Sequence, residues 1–263
     1  MTMSQVSTLV PLAEIAVERS RILSIQRNDL VPLLQDQYRL NHYADHLIQS
    51  QAVLLNGVDS ELTQKFSHTI EQLIQALAVS QQFLKKRRFN ALQRWLGSDL
   101  EHISKQVEYY KKLDHLLAQA DRLSRKLQIE IQKAQSRHQQ LLGLREQMAQ
   151  YIVAAEEFLQ EYPKFVAPTV GIDHFAERLD KKIHTLRTLQ NSNDLAIVQM
   201  QLTQQLSFTL LDRFKEAQQV LIPAWQHHVE QSQNAQSNAN LARLDESREA
   251  LIKTLKRSLQ KPS

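Results

Sequence analysis

The side chains able to do chemistry in this 263-residue chain are scattered rather than gathered into a motif. His42 and His46 stand four apart, with Asp45 between them. On a helix both imidazoles would share one side and could hold a metal. No third or fourth ligand follows at a diagnostic spacing and no His-Glu-x-x-His occurs, so two surface histidines are the expectation and no metal site is assigned. His227 and His228 are consecutive, and neighbouring residues on a helix diverge. The same holds for Glu156 and Glu157, which makes them poor acid–base partners. Ser, His and Asp are all present, but no nucleophile elbow appears. There is no Cys, which removes disulfides, thiolate nucleophiles and Cys-ligated metals together. The reading is non-enzymatic: no catalytic residues, no cofactor.

The sharpest charged feature is the tetrad Lys85, Lys86, Arg87 and Arg88, close to Phe89 and Trp95. Four cations beside two aromatics can attract an anionic membrane surface and seat rings in its interface. The tetrad opens a basic arm: residues 85–145 hold 14 Lys and Arg against 6 Asp and Glu. The formal +4 of the chain therefore averages +8 here against −4 elsewhere. Such an arm suits anionic lipid or an acidic partner, or is a solvated helix face. Nucleic acid is not expected, because no recognised binding motif is visible and the aromatics do not interleave with basic residues.

The elements that would position these residues are helices. Only 4 Gly and 6 Pro are present, too few for the tight turns of a sandwich, barrel or parallel sheet. Gln, a straight-chain residue, occurs 34 times and fills much of the polar surface. A weak stripe at Leu12, Ile15, Ile22 and Leu23 predicts a first helix, interrupted at Asn28 and Asp29. A second helix is predicted from about Leu30 to Leu54, stopping at Asn56 and Gly57. Asp59 or Ser60 caps a third, with Leu62, Phe66, Ile70, Leu73, Leu77 and Leu84 inward.

After Gly97, Ser98 and Glu101 have capping-box spacing. Apolar residues then step by three or four from Ile103 to Leu159, and a helix from Ser98 to Glu161 would be on the order of 95 Å long at 1.5 Å per residue. Residues 162–172, with Pro163, Pro168 and Gly171, predict a loop. A second long helix returns with Phe175, Leu179, Ile183, Leu186, Leu195, Val198, Leu202, Leu206, Leu210 and Phe214 inward. Fraying is expected at 191–194 and a kink at Pro223. Residues 231–240 read as a polar linker or a frayed helix before an amphipathic segment with Leu241, Leu244, Leu251, Leu255 and Leu259, ending in a basic tail. The fold expected is all-α: an elongated bundle of long antiparallel helices with a coiled-coil-like hairpin. Its segments are 1–97, 98–230 and 231–263. With no evident signal peptide and no apolar run of roughly 18 residues, a cytoplasmic protein is expected, with peripheral membrane contact as the reading of the tetrad.

Residues 151–159 read YIVAAEEFL, which resembles the Tyr-Ile-x-Ala-(Gly/Ala)-Glu stretch of the toxic-anion (tellurite) resistance family known as TelA. The basic stretch and Leu-Gly leading into the Lys- and Gln-rich helix before it look like that family's central region. Ile183, His184 and Leu186 resemble its Ile-His-Asp-Leu element. In the same register residues 199–204 fall on its Gln-Ile-Arg-Leu-Ile-Gln stretch, and Ile222, Pro223 and Trp225 on its Ile-Pro-x-Trp. Gln201 replaces the family's Arg, and Gln205 and Leu206 replace an Asn pair, so the chain is similar to a short, divergent member. The resemblance implies a role in resistance to tellurite and other toxic anions or envelope stress; without Cys or a cofactor site for reducing an oxyanion, the residues point to a scaffold or adaptor with protein partners of unknown identity. The alternative is a generic cytoplasmic coiled-coil interaction protein. Neither reading sets an oligomeric state.

Overall fold

The computed structural model describes residues 9–84, 98–165, 173–234 and 238–260. Among these every regular element is helical. A 3₁₀ turn at Leu12–Glu14 and an extended stretch precede α1 (Arg19–Ile25), which runs through a π turn (Gln26–Leu30) into a 3₁₀ turn (Val31–Leu34). Then come α2 (Gln37–Leu40), α3 (Asp45–Leu54), α4 (Ser60–Ala78) and α5 (Gln81–Leu84). Two long helices follow, α6 (Ser98–Phe165) and α7 (Asp173–Glu216). A π turn (Ala217–Leu221), α8 (Ile222–Asn234) and α9 (Asn238–Leu259) complete the chain. The tetrad Lys85, Lys86, Arg87 and Arg88, with Phe89, Trp95, Gly97, Pro168 and Gly171, lies outside the described residues.

By packing the chain divides into two units, each built from two separated stretches. The first is Met1–Gly57 with Lys133–Thr203; the second is Val58–Gln132 with Gln204–Ser263. In the first, Ile22, Leu30, Leu40 and Leu47 pack with Met148, Ile152 and Ala155 of α6 and with Phe175, Leu179, Ile183 and Leu186 of α7. Here α6 and α7 run antiparallel, since Arg145 meets Asp194, Glu156 meets Arg187, and Phe158 and Tyr162 meet Phe175. In the second unit α6 is tied to α7 at Gln128 with Lys215, and to the π turn after α7 at Asp121 with Gln218. Of the expected inward face, Phe66, Ile70, Leu73 and Leu77 of α4 are buried there and Leu62 is half-buried, and Phe66 meets Phe214 edge-on at 5.1 Å between ring centroids. From α9, Leu244, Leu251 and Leu255 are buried as the periodicity predicts.

Local signals set several ends. Asp59 accepts hydrogen bonds from the backbone N–H groups of Glu61 and Leu62, capping α4, and α3 ends just before Asn56 and Gly57. Trp225, two residues after Pro223, is almost fully buried. The missing N–H of Pro223 is accommodated just after a π turn, where the i→i−4 ladder is already interrupted.

Other expectations fail for tertiary reasons. The helix expected over 30–54 is broken twice. Asp36 caps α2, and residues 41–44 form a turn in which Ala44 has φ 62°, the left-handed region. In that turn the Asn41 carbonyl accepts from Lys182 of α7, a bond it could not offer so freely within a helix. Residues 15–18 interrupt the expected first helix, while Asn28 and Asp29 fall inside the π turn rather than at a break. Pro163 sits inside α6, which reaches Phe165, so the first residues of the expected 162–172 loop are helical; the rest of it lies outside the described residues. Residues 191–194 are helical because Asp194 is held by Arg145. α8 reaches Asn234 and α9 begins at Asn238, so the described residues of 231–240 follow the helical reading rather than the linker.

The inward face of α7 also differs from its leucine stripe. Leu195, Leu202 and Leu206 are 75%, 45% and 37% exposed, whereas Gln190, Ile197, Met200 and Ser207 are buried. Counting apolar residues passes over Gln190 and Ser207, which lie on the true inner face. On α6, likewise, Ile103 and Val107 are exposed while Tyr109 and Leu116 are buried.

Candidate functional site

The residues of the 151–159 stretch lie in the first unit, where α6 meets the N-terminal helices. Tyr151 is half-buried, and its hydroxyl donates to Asp29 Oδ2 at 3.0 Å. Tyr43 donates to the Tyr151 carbonyl at 2.7 Å, and the His46 ring stands edge-on to Tyr151 at 5.3 Å. Burial, followed by the bond to Asp29 and that carboxylate's charge, pushes the Tyr151 phenol up to about 12. Burial, then Tyr151 and Asp29, also holds Tyr43 well above the ordinary tyrosine value.

The two glutamates diverge as helix geometry requires. Glu156 pairs with Arg187 of α7 at 2.5 Å. Glu157 turns the other way, pairing with Arg19 of α1 and accepting from Gln26, whose amide also donates to the Ala154 carbonyl at 3.2 Å. One stretch of α6 thus ties α7 on one side and the N-terminal segment on the other. The resembling apolar residues Ile183, Leu186, Ile222 and Trp225 are all buried.

A second polar group lies one to two turns earlier on α6. Arg145 is only 5% exposed. Its Nε and Nη2 donate to the two Asp194 oxygens at 2.8 Å each, and Nη2 also donates to the Val10 carbonyl at 2.6 Å. Gln190 donates to Asp194 at 2.6 Å, Gln51 to Gln190 at 2.9 Å, and Asn193 to Gln51 at 2.6 Å. This network links α3, α6, α7 and the chain ahead of α1. Sequence reasoning missed it: Arg145 counts there as one cation of the basic arm and Asp194 as a fraying residue. Two residues 49 apart carry no spacing signal, and the hairpin alone brings them together.

His42 and His46 do not share a helix, because α3 begins at Asp45 and His42 belongs to the preceding turn. His42 Nδ1 lies 2.9 Å from Asp45 Oδ2, and Lys182 donates to the other Asp45 oxygen at 2.8 Å. Burial opposes ionisation of Asp45, yet Lys182 and His42 together hold its carboxyl below the usual value. Among the described residues no group of three or more His, Asp or Glu is placed to hold a metal.

In the second unit His227 lies 2.9 Å from the amide of Gln231, while His228 lines a shallow cleft with Ala224, Arg243, Glu246 and Ser247. A wider groove on α9, about 660 Å³, presents Lys253, Lys256 and Arg257 beside Glu246 and Glu249. Within the basic arm Lys105 pairs with Glu101, Arg125 with Asp121, and Arg137 donates to the Gly57 carbonyl, so part of its charge is met inside the protein. No helix among the described residues is long and apolar enough to cross a membrane.

Fold and site together define an all-helical protein in which Arg145, Glu156, Glu157 and Tyr151 tie its own helices to one another. The chain is 28% identical over 225 residues to Protein KlaA of Escherichia coli, a match that covers 82% of this chain and 85% of that protein. No protein-family model matches the chain, and no solved structure matches it.

Proposed function

We propose that this chain is a non-enzymatic helical protein of the toxic-anion (tellurite) resistance type, acting as a scaffold or adaptor through contacts with other proteins or with an anionic membrane surface. The similarity to Protein KlaA carries this reading, because it runs over most of both chains, as does the resemblance to the tellurite-resistance family. We take the two as one relationship. The site chemistry supports a role without catalysis: Tyr151, Glu156, Glu157 and Arg145 each have a partner within the first unit. A chain without Cys also has no thiol of its own with which to reduce an oxyanion.

The test is a deletion strain of the native host challenged with tellurite. Increased sensitivity, restored by the wild-type gene, is the expected result; sensitivity equal to that of the parent would overturn the resistance role. Calorimetry of the purified protein with tellurite is expected to show no heat of binding. A stoichiometric heat would replace the scaffold reading with direct capture of the anion.

A further inference from the structure

In the second unit α9 packs on α4 and α8, with Leu244, Leu251, Ile252 and Leu255 buried. Its opposite face carries Glu246, Glu249, Ala250, Lys253, Lys256 and Arg257, all exposed. The charges on that face are segregated along the axis. Both carboxylates lie on its N-terminal half and all three cations on its C-terminal half, while Arg243 stands to one side in the shallow cleft with His228. Among the described residues Glu246, Lys253, Lys256 and Arg257 have no hydrogen bond or ion pair. Glu249 accepts from Arg248 at 2.8 Å and is still 66% exposed.

The helix itself gives no reason for this pattern. Ion pairs along a helix form at i,i+3 and i,i+4, yet here those spacings join like charges: Glu246 with Glu249, and Lys253 with Lys256 and Arg257. The helix dipole accounts for Lys256 and Arg257 in the last turn. It fades before Glu246 and Glu249, more than two turns from the start at Asn238. The surface is stepped rather than flat, because Glu246 and Ala250 line both the wider groove on one flank of α9 and the shallow cleft on the other. Ala250 has the smallest side chain of the face, so another helix can approach closest there.

We infer that this face is a homodimer interface, in which α9 of a second copy packs antiparallel across Ala250 about a two-fold axis. A helix whose acidic half precedes its basic half complements itself only when turned end for end. Reversed, Glu246 meets Arg257 and Lys256 of the other copy, and Glu249 meets Lys253. The two-fold makes each pair twice, as an isologous contact requires. A parallel arrangement would set like charge on like. An anionic membrane suits only the basic half, and its surface would repel the carboxylates of the other half, which favours a second copy over lipid. One helix pair buries little area, so the dimer is weak, on the order of micromolar, and loosens with salt.

Sedimentation equilibrium of the full-length protein at low salt, up to about 100 μM, reads the association. Wild type should show a monomer–dimer equilibrium that shifts to monomer at high salt. Glu246→Lys/Glu249→Lys makes the face basic throughout, and Lys253→Glu/Lys256→Glu/Arg257→Glu makes it acidic throughout. Either variant alone should self-associate about tenfold or more weakly. Mixed in equal amounts, the two should pair with each other at least as tightly as wild type pairs with itself. A wild type that stays monomeric overturns the proposal, as do charge-swapped variants that dimerise like wild type or a mixture that fails to associate. Circular dichroism checks that the exposed substitutions leave the fold intact. Should a variant fail to fold, crosslinking decides, because in a chain without Cys the Ala250→Cys variant can form a disulfide only between two copies. Oxidation that links Ala250→Cys well ahead of Ala242→Cys, an exposed position more than two turns away, supports the two-fold at Ala250, and equal rates overturn it.

Discussion

At the scale of single residues, two groups carry most of the distinctive energetics of the first unit. Arg145 is buried with a carboxylate partner, and removing one member of such a pair leaves the other poorly solvated. Arg145→Met should lower stability by about 3 kcal/mol, somewhat less if water reaches Asp194, which keeps a fifth of its side-chain surface exposed. Urea denaturation measures it; a loss below about 0.5 kcal/mol, the scale of an ordinary surface substitution, would show that the pair is not doing this. Tyr151 gives a pH dependence of definite sign. Its phenol ionises near 10 when unfolded and at about 12 when folded, so the folded state favours the protonated form. Its contribution is complete below pH 10 and is lost as pH rises from 10 towards 12. Tyr151→Phe should flatten part of that alkaline decline and cost about 1 kcal/mol at neutral pH through the lost bond to Asp29. Thermal melts across the alkaline range would check both.

At the scale of elements, the ends of helices were more legible than their inward faces. Asp59 caps α4 because a carboxylate beside exposed N–H groups is a local matter, decided within four residues. Asp59→Ala should therefore cost about 1 kcal/mol in thermal or urea unfolding, and Asp59→Asn much less. Ala44 is the contrary case. Nothing in its neighbourhood announces a left-handed residue, and the turn is held by Lys182 from a helix more than a hundred residues away. Ala44→Val, adding a branched side chain at positive φ in a buried place, should destabilise by on the order of 2 kcal/mol, whereas Gly there trades strain relief against a lost buried methyl group. The inner face of α7 escaped the sequence for a related reason. Gln190 is buried because Gln51 and Asp194 satisfy its amide, and an apolar count has no means of crediting such partners.

At the scale of the whole molecule, the open matter is what the protein touches. Flotation with vesicles rich in anionic lipid tests membrane contact directly: binding should fall when Lys85, Lys86, Arg87 and Arg88 are all replaced by Gln, and should weaken with salt. Binding that survives the quadruple substitution would remove the tetrad from that role. The sequence by itself determined the helical class, the scarcity of turns, a cap at Asp59 or Ser60, the stop at Asn56 and Gly57, and the absence of thiol chemistry. Each of these depends on residue type or on neighbours within a turn or two. Tertiary structure decided which polar groups are partners: Arg145 with Asp194 and Val10, Tyr151 with Asp29, Glu156 with Arg187, Lys182 with the 41–45 turn. Burying a charge or an amide is costly unless a partner meets it, and here the partners lie tens to more than a hundred residues apart in the chain. Periodicity reports where apolar surface is; only packing brings such distant groups within hydrogen-bonding distance.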